Sequence, residues 1–135
     1  MTSALFDPGR EGFLDGTIDW DTNDIRTMLV KSAYSYVASH KFISDLPAAT
    51  ADNGRSAALT GKTVTNGVAN AASTSLTATS AVACNALIVY QYNASDTAAR
   101  LIGYIDSATG LPFTPAASQT VNIAWDTGAN KIFKL

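Results

Sequence analysis

Turn-forming residues punctuate most of this chain about every ten residues, and the segments between them are too short for ordinary helices. The pattern is clearest from residue 57 onward. Ala57-Ala58-Leu59 ends at Thr60-Gly61. Thr63-Val64-Thr65 and Val68-Ala69 flank Asn66-Gly67, a pair that readily takes the two left-handed conformations of a tight hairpin turn. Thr74-Ser75-Leu76-Thr77-Ala78-Thr79 alternates. Ala86-Leu87-Ile88-Val89-Tyr90 is continuously apolar and rich in branched residues, the signature of a central strand buried on both faces. Leu101-Ile102-Gly103-Tyr104-Ile105 is similar, with Asn93 to Thr97 as the loop joining it to the strand before. After a rigid loop, Gly110-Leu111-Pro112-Phe113-Thr114-Pro115, the segment Thr120-Val121-Asn122-Ile123-Ala124-Trp125 alternates strictly, and Lys131-Ile132-Phe133-Lys134-Leu135 closes the chain as a last strand.

Upstream the signals are weaker. Residues 1–12 carry Pro8 and Gly9 with no sustained period and read as an N-terminal arm or loop, leaving 13–135 as one β-sandwich domain. Phe13 to Trp20 and Ile25 to Val30, separated by Asp21-Thr22-Asn23, predict a hairpin. One short helix is expected, with Ser39 as N-cap, Phe42, Ile43 and Leu46 at helical spacing, and Pro47 as its stop. Residues 48–56, centred on Asp52-Asn53-Gly54, predict an exposed loop. The sum is an all-β fold: an antiparallel β-sandwich or jelly roll of roughly eight strands with one short helix. Ile18-Asp19-Trp20-Asp21-Thr22 and Ile123-Ala124-Trp125-Asp126-Thr127 echo each other without amounting to a repeat.

Composition narrows the partners. Only 15% of the 135 residues are charged, against about 25% in typical globular chains, and Ala, Thr and Ser fill the difference. Such a surface is cheap to desolvate and suits contact with other protein. Net charge is −2 and the basic residues are scattered from Arg10 to Lys134, which argues against nucleic acid, whose phosphates call for clustered cations. No apolar run approaches the roughly 20 residues that span a bilayer, and Met1 to Gly12 lack the basic-then-apolar order of a secretory signal. The single cysteine, Cys84, excludes an internal disulfide and reads as a small buried hydrophobe in a chain made in a reducing cytoplasm.

Motifs for chemistry fail on named residues. Gly61-Lys62-Thr63 ends like a phosphate-binding loop, but the glycine that loop needs is Ser56, and β-like residues follow where a helix must open. Asp19 to Asn23 begins like an EF-hand, but the required glycine is Asp24 and the bidentate glutamate position is Val30. A weak calcium site at Asp15, Asp19, Asp21 and Asp24 is the residue of that idea. His40 is the sole histidine, no Gly-x-Ser-x-Gly elbow exists, and one His with one Cys makes no zinc site. No catalytic, cofactor-binding or metal residue is therefore assigned. For a protein interface the candidates are Tyr34 and Tyr36 in an irregular stretch, and Leu5 and Phe6 on the arm.

Several segments occur in a telling order. They are Gly16-Thr17-Ile18-Asp19-Trp20-Asp21-Thr22 with Ile25-Arg26 and Leu29-Val30, then Phe42-Ile43-Ser44-Asp45-Leu46, Leu59-Thr60-Gly61-Lys62-Thr63-Val64, Gly110 to Pro115, and the terminal Trp125 to Leu135. From about Gly12 to the C-terminus this set resembles a family of small virion structural proteins of tailed bacteriophages, which includes capsid cement (decoration) proteins. The resemblance implies a β-sandwich or jelly-roll subunit without catalytic residues or cofactor. It would bind the major capsid protein on the outside of the assembled head as a homo-oligomer, a dimer or trimer. A tail or neck structural protein is the same subunit in another place. A host-surface glycan-binding module would instead use Tyr34, Tyr36 and the Asp cluster.

Overall fold

The computed structural model describes residues 3–108 and 110–135. In chain order its elements are β1 (Ala4–Leu5), α1 (Asp7–Asp15), β2 (Ile25–Lys31), a 3-10 turn (Ile43–Asp45), α2 (Ala48–Ala51), β3 (Asp52–Arg55), β4 (Thr63–Thr65), β5 (Val68–Asn70), β6 (Thr74–Thr77), β7 (Cys84–Gln91), β8 (Arg100–Ile105), β9 (Thr120–Ile123) and β10 (Phe133–Lys134). The fold is all-β with antiparallel pairing throughout these strands. A five-stranded sheet runs β1-β8-β7-β2-β3, a three-stranded one β10-β5-β4, and a two-stranded ribbon β6-β9. The strands thus divide five, three and two, with the two smaller sheets packed on one face of the large one.

β7 is central, as its unbroken apolar run predicts, because both its faces carry core. Leu87 and Val89, with Ile25 and Leu29 of β2 and Ile102 of β8, pack on Ala69, Leu76, Val121, Ile123 and Phe133 from the two small sheets. Ala86, Ile88 and Tyr90, with Met28, Val30, Leu101 and Tyr104, pack on Phe6, Tyr34, Ile43, Leu46 and Ala51. Where β2 meets the start of β7 a register shift between Val30 and Lys31 turns Cys84 to the first face, where it is wholly buried. The β4–β5 hairpin closes on Asn66 (φ 54°) and Gly67 (φ 77°), both left-handed as the Asn-Gly pair requires.

Four local expectations are corrected. Residues 4–12 are not an arm: β1 adds to the edge of β8, and α1 lies against the same strand. Pro8 sits in the first turn of α1, where its missing N–H costs nothing, and Gly16 (φ 82°) ends the helix. Gly9 lets the helix close on β8, since a Cβ there would stand 2.7 Å from the Ile102 carbonyl oxygen. The helix has no apolar stripe, so periodicity could not reveal it. Second, no hairpin joins Phe13–Trp20 to β2, whose partners are β3 and β7. The Asp21–Asn23 turn exists, with Asn23 N–H donating to the Asp19 carbonyl at 2.9 Å, but Trp20 turns inward instead of continuing a strand.

Third, the expected helix near Phe42 is a single 3-10 turn capped not by Ser39 but by Asp45, whose carboxylate accepts the N–H groups of Lys41 and Phe42, each at 2.9 Å. Fourth, residues 48–56 are no exposed loop: they form α2 and β3, with Asn53 wholly buried and Gly54 buried beside it. Asn53 Oδ1 accepts from Thr79 Oγ1, Ser80 N and Ser80 Oγ at 2.9, 3.0 and 2.7 Å, while Nδ2 donates to the Ser80 carbonyl at 3.1 Å. Gly54 (φ 120°) has no room for a Cβ beside the Thr77 carbonyl. Asn and Gly here are a polar clamp and a close approach, two uses that leave the same composition as a turn.

Candidate functional site

The four interface candidates come together, but facing inward. Leu5, Phe6 and Tyr34 are 5%, 0% and 4% exposed, and Tyr36 is half-buried. Phe6 and Tyr36 stack at 5.1 Å between ring centres, Tyr36 lies 5.7 Å from Tyr104, and the Tyr36 hydroxyl donates to the Leu5 carbonyl at 2.6 Å. The Tyr34 hydroxyl bonds His40 Nδ1 at 2.9 Å, and burial pushes the Tyr34 phenol up to about 12. Phe6, Tyr34 and Tyr36 cover the second face of the five-stranded sheet, while Leu5 packs into the core on the first. These side chains are core, so the assignment of Leu5, Phe6 and Tyr34 to an exposed interface is corrected. The irregular backbone between residues 32 and 42 hid the burial of Tyr34, because its side chains follow no fixed period.

The acidic cluster disperses in space. Asp15 accepts from the hydroxyl and N–H of Thr17 at 2.7 and 2.9 Å, and Asp24 pairs with Arg26 at 2.9 Å. Only Asp19 and Asp21 are neighbours. The hydrogen bond between their carboxyls holds Asp19 below its ordinary value and Asp21 above. Among the described residues no three His, Cys, Asp or Glu side chains converge as metal ligands would. Lys62, of the Gly-Lys-Thr triplet, donates to the Asn23 carbonyl, and Gly61 bends the chain into β4 rather than opening a helix. Cys84 receives the Asn53 amide at 3.2 Å, and burial raises its thiol, the reverse of what a reactive cysteine needs.

The echoing tryptophans do share a job. Trp20 and Trp125 donate their indole N–H groups to the carbonyls of Asn70 and Ala72, at 3.1 and 3.2 Å. They grip alternate residues of one extended segment. Clefts lie nearby, two of them distinct in character. One, of about 460 Å³, is polar and includes Arg10, Asp106, Asp126, Lys131 and Lys134; the other, of about 280 Å³, is apolar and includes Phe13, Trp20, Val64 and Leu135. In the polar cleft Asp106 is bonded to Ser3 and Asp126 to the Gly128 N–H. Among the described residues no serine, threonine or cysteine is hydrogen-bonded to His40, so the nucleophile–base contact of covalent catalysis is not assembled.

The feature that stands out is a ribbon without charge. No charged residue occurs between Lys62 and Asp96, nor between Asp106 and Asp126, and the fold pairs these two tracts as β6 and β9. In that ribbon Leu76, Val121 and Ile123 point into the core, while Ser75 faces Asn122 and Thr77 faces Thr120 on the exposed side. Exposed Ala72, Ser73 and Thr79, the 81–83 loop with Val82 at 38%, and exposed residues from Thr114 to Gln119 extend the neutral surface around it. Overall composition shows thin charge but not its location; the spacing of the charged residues along the chain carries that signal. Hydroxyl and methyl groups lose little on leaving water, whereas each buried unpaired charge costs several kcal/mol. Comparison of the chain with protein-family models, curated proteins and solved structures finds no match.

Proposed function

We propose that this chain is a structural subunit that works by packing against other protein, as a cement (decoration) protein on the outside of a tailed-phage head. The observation that carries the packing role is the uncharged end of the molecule, where two tracts without a charged side chain converge on the β6–β9 ribbon. The narrowing to a phage shell comes from the ordered set of segments between Gly12 and Leu135 described above. In this reading the partner is the major capsid protein, the subunit is a homo-oligomer, and the chain acts without cofactor or catalysis.

The physical logic is linkage. A subunit that binds the assembled, expanded shell and not its precursors stabilises that state by mass action against internal pressure. Repetition over a symmetric lattice multiplies a modest affinity per site. The test is to add purified protein to undecorated heads and measure bound copies and thermal or osmotic survival. Saturating decoration with raised survival is expected. Absence of both overturns the capsid reading, and a few dozen copies confined to the tail or neck would relocate the subunit.

A further inference from the structure

We infer that a second copy of this chain occupies the uncharged end, docked by antiparallel pairing of β9 with the β9 of that copy. The inference deepens the structural-subunit reading and rests on it only for its biological use.

An unpaired strand edge presents alternate amides and carbonyls, and natural folds blunt such edges with charge, proline, bulges, shortness or a covering segment. The other edges here carry such devices. β3 bears Asp52 and Arg55 and is tied onward by the Ser56–Leu76 bridge; β1 and β10 are two residues long, β1 lying under Tyr36 and β10 carrying Lys134; β4 is three residues long and follows Lys62. β9 has none of them. Its ladder with β6 is regular over Thr120–Ile123, its four residues include neither charge nor proline, and among the described strands only β6 pairs with it. The far side of β6 is taken, since Gly54 closes on the Thr77 carbonyl, so the ribbon is anchored through β6 and open at β9.

The electrostatics select the occupant. In an isologous contact every residue meets its own surroundings across the two-fold, so any charge near the axis meets its like. β9 and the tracts around it put no charge there, so copy against copy is neutral against neutral. A strongly charged partner strand would be desolvated against a surface with nothing to pair it. Register follows from the pleat. Directly opposed residues share a face, so exposed Thr120 and Asn122 must meet exposed residues and buried Val121 and Ile123 must meet buried ones. The two-fold therefore passes through Val121 or Asn122, and the product is a four-stranded sheet, β6-β9-β9-β6.

Sedimentation of the full chain across a concentration series is the test. Wild type is expected to form a dimer. Asn122→Lys, an exposed change that sets the two lysines directly opposite each other in one register and diagonally adjacent in the other, is expected to weaken it more than about tenfold. Asn122→Thr should leave dimerisation within about twofold. Circular dichroism should be unchanged in both, as should melting at concentrations low enough for wild type to be monomeric. Under mild oxidation Asn122→Cys should cross-link if the two-fold passes through Asn122, the double variant Thr120→Cys, Asn122→Cys should cross-link in either register, and Leu14→Cys, on α1, should not. A chain that stays monomeric at the highest concentrations overturns the inference, as does a dimer indifferent to Asn122→Lys. A monomer that still decorates heads would sink this inference and spare the function; a β9 dimer that binds no head would do the reverse.

Discussion

At the residue scale the structure depends on a few polar side chains in apolar surroundings. Asn53 is the sharpest case, because three donors on Thr79 and Ser80 converge on its Oδ1. Asn53→Ala strands them, and a buried unmade hydrogen bond costs about 1–3 kcal/mol, so the midpoint of urea unfolding should fall by an amount equivalent to roughly 2–4 kcal/mol. If that midpoint is unmoved, the clamp does not contribute to stability. Tyrosines set a limit on the alkaline side. Tyr34 and Tyr90 stand about 12 when folded because burial disfavours their anions, against 10.0 for an exposed phenol. A raised value means the contribution is present below pH 10 and is lost as pH climbs from 10 towards 12. Unfolding and tyrosinate absorbance should therefore rise together in that window, and tyrosinate appearing without loss of structure would contradict the burial. Asp96 works in the opposite sense: its hydrogen bonds with Arg55, at 2.8 and 3.0 Å, lower its carboxyl, so its small contribution is present above the usual carboxylate range and fades as pH falls through the lowered value.

At the element scale, β7 and the N-terminal pair β1–α1 carry the contrast between core and appendage. Ile88 lies at 0% exposure in the middle of the five-stranded sheet, whereas Val64 on β4 is 58% exposed. Ile88→Ala is expected to cost about 2–5 kcal/mol and Val64→Ala less than about 0.5 kcal/mol, both readable from denaturant midpoints. Removing residues 1–12 is more telling. A loose arm could be trimmed with no change in melting temperature, but here the deletion takes away wholly buried Phe6, the strand on β8 and the helix against it. A truncated chain that melts like the full one would contradict this account; a large drop or insoluble protein is expected.

At the scale of the whole molecule, charge and shape are distributed unequally. The Asp24–Arg26 and Asp52–Arg55–Asp96 pairs lie on segments of or near the five-stranded sheet, and the β6–β9 ribbon itself carries no charge. Association through that end should hardly respond to ionic strength. Raising salt from about 0.05 to about 0.5 M shortens the screening length several-fold, yet leaves a neutral contact without charges to screen. A dimer that dissociates strongly over that range would show that ion pairs hold it, and would move the contact elsewhere on the surface.

What the amino-acid sequence determined by itself is what local physics controls. The Asn66-Gly67 hairpin, the β7–β8 hairpin with its turn at 93–97, the double burial of β7 and the burial of Cys84 all follow from turn chemistry and side-chain periodicity within a few residues. Tertiary structure decided what depends on distant neighbours. It folded residues 4–12 into the domain because β8 had an edge and a face to cover, and it made a clamp of Asn53 because Thr79 and Ser80 lie across from it. It turned Leu5, Phe6 and Tyr34 inward because a broad sheet needs cover on both sides. The neutral end belongs to both levels: the two uncharged tracts are written in the chain, but only the pairing of β6 with β9 brings them onto one surface, because an interface is a property of what lies side by side in space.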